Sequence, residues 1–239
     1  MAFQCKQFSI EQDKCAMKVN TDSMILGSWV EVDAQTRILD IGTGTGILAL
    51  MLAQKAGPEA VIDAIELDAD AAAQARENVL ASPWAENINT CQGCVLSQAP
   101  ARQYDLIVSN PPYFEGAKSS SNAYSGQSDV RKQARQSDSL SSDALFQWVA
   151  AYLEKHGDFY CLYPADAIQQ LIPNAEAAGL YCHSLMWVQS QSNKPAYVAA
   201  LRFRREPSIV KKASLIIHNE SGEYSEEFRA LCREYYLHF

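Results

Sequence analysis

Asn110-Pro111-Pro112-Tyr113, followed by Phe114, is a run whose residue types can hold a planar amino group. An exocyclic amine is a poor nucleophile because its lone pair is delocalised into the ring or carbonyl beside it. It therefore needs well placed acceptors more than a strong base. The Asn110 side-chain oxygen can take one N–H and the Pro111 carbonyl a second, leaving the nitrogen aimed at an electrophilic methyl. The two prolines fix φ and remove two backbone donors, so the turn is stiff and presents carbonyl oxygens. Tyr113 or Phe114 can stack on a substrate ring, a contact worth roughly 1–3 kcal/mol for a nucleic-acid base. The same residues also read as an ordinary Pro-Pro turn after the buried strand Tyr104–Ser109.

A second run, Asp40-Ile41-Gly42-Thr43-Gly44-Thr45-Gly46, lies upstream and favours the chemical reading. It follows the apolar strand Arg37–Ile41 and precedes Ile47–Ala53, a stretch of strong helix formers. Glycines there allow close backbone approach to a ligand, and the helix start offers free N–H groups. The next strand, Ala60–Asp68, ends in acids at the distance where a carboxylate accepts ribose hydroxyls; Glu66 is the first choice and Asp68 the neighbouring alternative. Dinucleotide enzymes carry G-x-G-x-x-G at this place. Here the turn reads G-T-G-T-G one residue after an acid, which favours S-adenosylmethionine and assigns Asp40, Gly42, Gly44, Gly46 and Asn110 to its site.

On these two runs the chain resembles the class I S-adenosylmethionine-dependent methyltransferases of the Asn-Pro-Pro-Tyr amino-methylating kind. The segment Phe8–Trp29 is similar to the corresponding segment of bacterial tRNA (adenine-N6)-methyltransferases acting on valine tRNA, and the resemblance spans nearly the whole chain. It implies an α/β, Rossmann-like fold: a mostly parallel seven-stranded sheet with a C-terminal antiparallel hairpin and helices on both faces. It implies methylation of N6 of an adenine in tRNA, at position 37 beside the anticodon. In the family, a leading segment, here residues 1–36, closes over the methionine end of the cofactor, which implicates Lys18, Thr21 and Asp22. Thr21 and Asp22 are also good N-caps for a helix through Met24-Ile25-Leu26. One position departs from the class pattern, in which the third strand ends in Gly-Asp and the acid accepts the cofactor's adenine amino group. Here Gln92-Gly93-Cys94 puts Cys94 in that place, so the adenine must be held by backbone groups or by another polar side chain.

At 239 residues and 48% apolar content the chain can bury one full α/β core and is short for two, so residues 1–239 read as a single domain. A net charge of −8 argues against broad nucleic-acid affinity, which makes local placement of the cations decisive. Arg202, Arg204, Arg205, Lys211 and Lys212 form one basic cluster and Arg131, Lys132 and Arg135 another; each reads as a solvated face or, together, as a basic rim on an acidic body. Seven cysteines scattered through apolar contexts fit reduced thiols. Cys91 and Cys94 lack two further ligands at matching spacing, so no metal is expected. Neither a secretory signal nor a membrane span is apparent, and a cytoplasmic protein, monomeric, is the expectation.

Residues 115–142, rich in Ser, Asn, Gly and Gln, read as a mobile loop directly after the substrate-holding run, with a disordered connector as the alternative. Tyr124, Arg131 and Arg135 within it can meet RNA by stacking and phosphate contact. Beyond it the pattern predicts a helix over 145–153, a strand over 157–163, a helix over 165–178, a hairpin from 185–188 and 196–203, and a last helix over 225–236. Release-factor glutamine methyltransferases carry a helical domain before the glycine run, and DNA adenine methyltransferases an added recognition domain; neither fits in this length. An already unpaired base is the cheapest to extrude, which suits a compact enzyme reading an anticodon loop. Two rivals remain open: methylation of a protein glutamine or ribosomal RNA base, and a noncatalytic S-adenosylmethionine-binding module on RNA.

Overall fold

Aliphatic and β-branched runs form the strands of this protein, and the glycine and proline runs fall at their ends. In the computed structural model, which describes residues 2–111 and 140–238, ten strands are formed: β1 (Phe3–Gln4), β2 (Ser9–Ile10), β3 (Arg37–Ile41), β4 (Val61–Glu66), β5 (Ile88–Gln92), β6 (Tyr104–Ser109), β7 (Leu153–Pro164), β8 (Tyr181–Gln191), β9 (Ala196–Arg204) and β10 (Lys211–His218). The described α-helices are α1 (Thr21–Trp29), α2 (Ile47–Lys55), α3 (Ala69–Leu80), α4 (Ser142–Tyr152), α5 (Ile168–Ala177) and α6 (Glu226–Cys232).

Strands β3 to β10 make one sheet in the order β10-β8-β9-β7-β6-β3-β4-β5. Neighbours from β5 across to β7 run parallel, while β9 lies antiparallel between β7 and β8. This is the expected mostly parallel sheet with its closing hairpin. An eighth strand extends it: β10 adds parallel to β8, with Leu215 opposite Val188. Its opening Lys211-Lys212-Ala213-Ser214 is polar and exposed, and only Leu215 and Ile217 are buried, so its strand character rests on the partner edge more than on local pattern.

Both faces of the sheet are covered, which is why its central strands read as continuous apolar runs rather than alternating ones. One face buries Met24, Ile25 and Leu26 of α1 with Leu48, Met51 and Leu52 of α2 and Phe228 of α6. The other buries Leu145, Phe146 and Val149 of α4 with Ile168, Leu171 and Ala175 of α5. Each of the larger side chains contributes roughly 1.5–3 kcal/mol by leaving water. Helix α5 is preceded by a 3₁₀ turn, Ala165–Ala167, and α6 stops at Cys232, short of the predicted 236. Tyr235 beyond it is buried and donates its hydroxyl to the Met51 carbonyl at 2.9 Å.

The placement of α1 matters most for the site. Gly27 lets α1 approach α2 closely: a Cβ there would lie 2.5 Å from the Met51 sulfur. The Lys55 ammonium donates to the carbonyls of Gly27, Ser28 and Val30 at 2.9, 2.7 and 2.7 Å, satisfying acceptors that a helix C-terminus leaves open.

Candidate active site

The site is built on one row of the sheet. Ile65, Ile41 and Ser109 stand side by side in register on β4, β3 and β6, so the residues after them leave the same carboxyl edge together. A crevice at that edge, where strand order reverses, is where open α/β sheets bind ligands. The Gly42 and Thr43 amides both donate to the Ile65 carbonyl, and the Ser109 hydroxyl donates to the Ile41 carbonyl at 2.9 Å. The three strand ends are thereby tied to one another.

Gly42, Gly44 and Gly46 all adopt positive φ, at 72°, 57° and 85°. That conformation strains any other residue, and a Cβ at Gly42 or Gly44 would meet no atom within 4 Å, so the turn opens onto free space. Asp40 lies fully buried beneath it. Its Oδ2 accepts from the Thr43 hydroxyl at 2.5 Å and the Ala49 amide at 3.1 Å, which ties the turn to the start of α2. Burial pushes the Asp40 carboxyl up to about 7, against the lowering effect of those two donors. Its Oδ1 is buried with no hydrogen-bond partner.

Of the two candidate ribose acids, Asp68 is engaged elsewhere: it is the N-cap of α3, accepting the Ala71 amide at 2.9 Å. Glu66 accepts the Gly44 amide at 2.9 Å on one oxygen and the Asp68 amide at 2.9 Å on the other, so its carboxylate is held at the rim of the glycine turn. Cys94 follows β5 after Gly93 and opens a 3₁₀ turn, Val95–Ser97, where its carbonyl accepts the Ser97 hydroxyl at 2.8 Å. Among the described residues, no group of three or more His, Cys, Asp or Glu is arranged to hold a metal ion.

Asn110 leaves β6 at this edge, and its amide nitrogen donates to the Ser23 hydroxyl of α1 at 3.2 Å. Pro111 is buried beside it. Tyr113, Phe114, Tyr124, Arg131 and Arg135 lie outside the described residues. The reading of Thr21 or Asp22 as the N-cap of α1 is corrected: the cap is Asn20, whose Oδ1 accepts the Ser23 amide at 2.9 Å. Asn20 has the extended backbone a cap requires, whereas Thr21 and Asp22 already lie in the first helical turn. Lys18 is exposed just ahead of the cap. Asp22 accepts the Tyr197 hydroxyl at 2.7 Å, which fastens the first turn of α1 to β9; burial raises its pKa while that bond opposes the rise.

Two supporting residues escaped the sequence reading. Asn78 and Gln74 sit four apart on the buried side of α3. The Asn78 amide donates to the carbonyls of Glu11 and Thr45, both at 2.8 Å, and its oxygen accepts the Glu11 amide at 2.9 Å. It thus joins the leading segment to the glycine turn, while Gln74 accepts the Lys14 amide at 3.2 Å. The signal was present as two polar residues in step with Ala71, Ala75 and Val79 on a helix face otherwise apolar. The C-terminal basic cluster is also corrected in part. Arg202 and Arg204 both chelate the nearly buried Asp158, through bonds of 2.6–3.0 Å, and Arg202 pairs with Glu31 at 2.8 Å as well. Of that cluster, Arg205, Lys211 and Lys212 are exposed.

Residues 14–158 match the methyltransferase small domain family. Over 237 residues the chain is 43% identical to a tRNA1(Val) (adenine(37)-N6)-methyltransferase of Tolumonas auensis, covering 99% of this chain and 97% of that one. It is 41% identical over 238 residues to the protein of the same name from Bacteroides thetaiotaomicron, again covering 99% and 97%. The chain belongs to this methyltransferase family. The fold of the enzyme agrees with solved methyltransferases of low identity. A predicted O-methyltransferase from Agrobacterium tumefaciens superposes with a TM-score of 0.65 at 17% identity, covering 89% of this chain and 96% of that one. A ribosomal protein L11 methylase from Lactobacillus delbrueckii subsp. bulgaricus gives 0.56 at 15%, covering 81% and 83%. The cofactor of the enzyme is S-adenosylmethionine. An open glycine turn, a carboxylate at the next strand end and an unpaired buried Asp40 oxygen suit a ligand with donors on an amino acid and a ribose.

Proposed function

We propose that this enzyme methylates N6 of adenine 37, beside the anticodon of valine tRNA, with S-adenosylmethionine as donor. The observation that carries the reading is the position of Asn110: it stands at the carboxyl end of β6, one strand from the glycine turn, with its amide nitrogen directed at Ser23. The names of the relatives supply the substrate. When bound, the cofactor supplies a methyl on a sulfonium. Asn110 Oδ1 and the Pro111 carbonyl accept the two N–H bonds of the amino group and orient its lone pair along the line of attack. As the nitrogen attacks, its hydrogens become more acidic, so both acceptors bind the transition state more strongly than the ground state. Tyr113 or Phe114 stacks the flipped base. Glu66 takes the ribose hydroxyls, the backbone of Gly42, Gly44 and Gly46 lies along the cofactor, and Lys18, Thr21 and Asp22 face its methionine end. Asp40 supports the turn from beneath, and Cys94 borders the adenine without offering a carboxylate to it.

In this reading residues 1–239 act as one domain, with 1–36 closing over the cofactor and 115–142 meeting RNA through Tyr124, Arg131 and Arg135. No helix among the described residues is long and apolar enough to cross a membrane. We place the enzyme in the cytoplasm as a monomer, which light scattering on the purified protein checks. The decisive experiment supplies labelled S-adenosylmethionine to separate pools of unmodified tRNA, ribosomal RNA and protein, and identifies the product by mass spectrometry. N6-methyladenosine in tRNA is expected. Asn110→Ala should lower turnover at least ~100-fold while cofactor affinity changes less than about twofold. Label in ribosomal RNA or protein would overturn the substrate, and near-normal turnover of Asn110→Ala would overturn the role given to that residue.

A further inference from the structure

An asparagine amide has one acceptor side and one donor side of nearly equal shape, so a site that needs its oxygen must specify which way it faces. The hydrogen-bond pattern around Ser23 does this. Asn20 Oδ1 is fixed as an oxygen because it accepts the Ser23 backbone N–H at 2.9 Å as the cap of α1. The Ser23 hydroxyl lies 3.1 Å from that same oxygen and can only donate to it. Its single hydrogen is then committed, and toward Asn110 it offers lone pairs alone. The Asn110 atom 3.2 Å away must therefore be the NH₂ group. The reversed amide would leave the single Ser23 hydrogen between two oxygens, so that either Asn20 or Asn110 would face its lone pairs without a hydrogen.

We propose that Ser23 is a positioning residue for the reaction, setting the Asn110 amide so that its oxygen faces the substrate amine. The assignment rests on the role given to Asn110 above. Ser23 touches neither substrate nor the reacting atoms in this scheme. It acts through Asn110, and it is held in place by three things: the bond of its backbone amide to the Asn20 cap, its burial, and the Asp22–Tyr197 bond that anchors the same helical turn to β9. The helix that carries Thr21 and Asp22 toward the cofactor thus also sets the amide that receives the substrate.

Single-turnover methylation of unmodified valine tRNA tests this, alongside calorimetric affinity for S-adenosylmethionine and the melting temperature of each variant. Ser23→Ala should slow transfer about tenfold with KM for tRNA and cofactor affinity within about twofold, and Ser23→Thr, which keeps the hydroxyl, should restore most of the rate. A carboxylate presents an oxygen on either side, so in an Asn110→Asp background Ser23→Ala should cost much less than tenfold. A structural role for Ser23 predicts equal losses in both backgrounds, or a loss of cofactor affinity with the rate. Either result overturns the proposal, as does a full rate for Ser23→Ala. Failure of the Asn110 reading appears separately, as retained activity in Asn110→Ala.

Discussion

At the scale of single residues, the proposed site is made of side chains that already serve the backbone. Glu66 is the clearest case. It already holds the Gly44 and Asp68 amides, and in the proposed function its remaining lone pairs take the ribose hydroxyls. Glu66→Ala removes support from the turn together with the acceptor for the sugar. Hydrogen bonds to a charged group contribute about 1.5–3 kcal/mol each, so cofactor affinity should fall roughly 10- to 100-fold by calorimetry. Unchanged affinity would mean that the ribose is held by another group. Asp40 differs in kind: it is fully buried, with one oxygen spent on Thr43 and Ala49, and its position explains why an acid opens this glycine run. It braces the turn from within.

Among the elements, α1 has the greatest influence for its length. It is nine residues long and is fixed at both ends by polar contacts: Asn20 at the start, Lys55 at the finish. Burial lowers the Lys55 pKa to about 8, so the ammonium is held at some cost in desolvation for the three carbonyls it satisfies. Lys55→Met keeps the apolar stem and leaves those carbonyls without their donor. It should destabilise the protein by about 1–3 kcal/mol in urea unfolding and, by loosening the helix that carries Ser23, lower methyl transfer as well. A variant with unchanged unfolding midpoint would show that water replaces the ammonium freely.

For the molecule as a whole, the end of the sheet away from the glycine turn carries its own polar anchor. Asp158 on β7 joins Arg202 and Arg204 on β9, and through Arg202 reaches Glu31 beyond α1. Burial alone would raise the Asp158 pKa, but the hydrogen bonds from Arg204 and Arg202 outweigh it and hold the carboxyl below its usual range. A depressed acid binds fewer protons folded than unfolded. Its contribution is complete above the ordinary carboxylate pKa and is lost as pH falls through the lower, folded value. Asp158→Ala should therefore cost roughly 3 kcal/mol at neutral pH, toward the low end for a buried pair because both guanidiniums keep some contact with water, and less in acid. Chemical unfolding at pH 7 and pH 3 checks both statements. Equal losses at the two values would remove the ion pairs from the account.

Much of this protein was legible in its sequence because the governing signals are local. Positive φ at the glycine turn, a proline directly after Asn110 and apolar runs for doubly covered strands are imposed by the residues themselves, and they point to the fold and the cofactor. Other features depend on what the chain meets after folding. That Asn20 rather than Thr21 caps α1 is a matter of backbone angle, which the shared preference of Asn, Thr and Asp for caps does not resolve. Strand β10 exists because β8 offers it an edge. Arg202 and Arg204 look like a solvated basic face until β7 brings Asp158 beneath them, since a charge's partner forty residues away has no signature in local spacing. The side of Asn110 that faces the substrate was likewise undetermined by the motif. Residues 23 and 110 have no relation in sequence, and it is the packing of α1 over the end of β6 that brings a serine with a committed hydrogen to the amide.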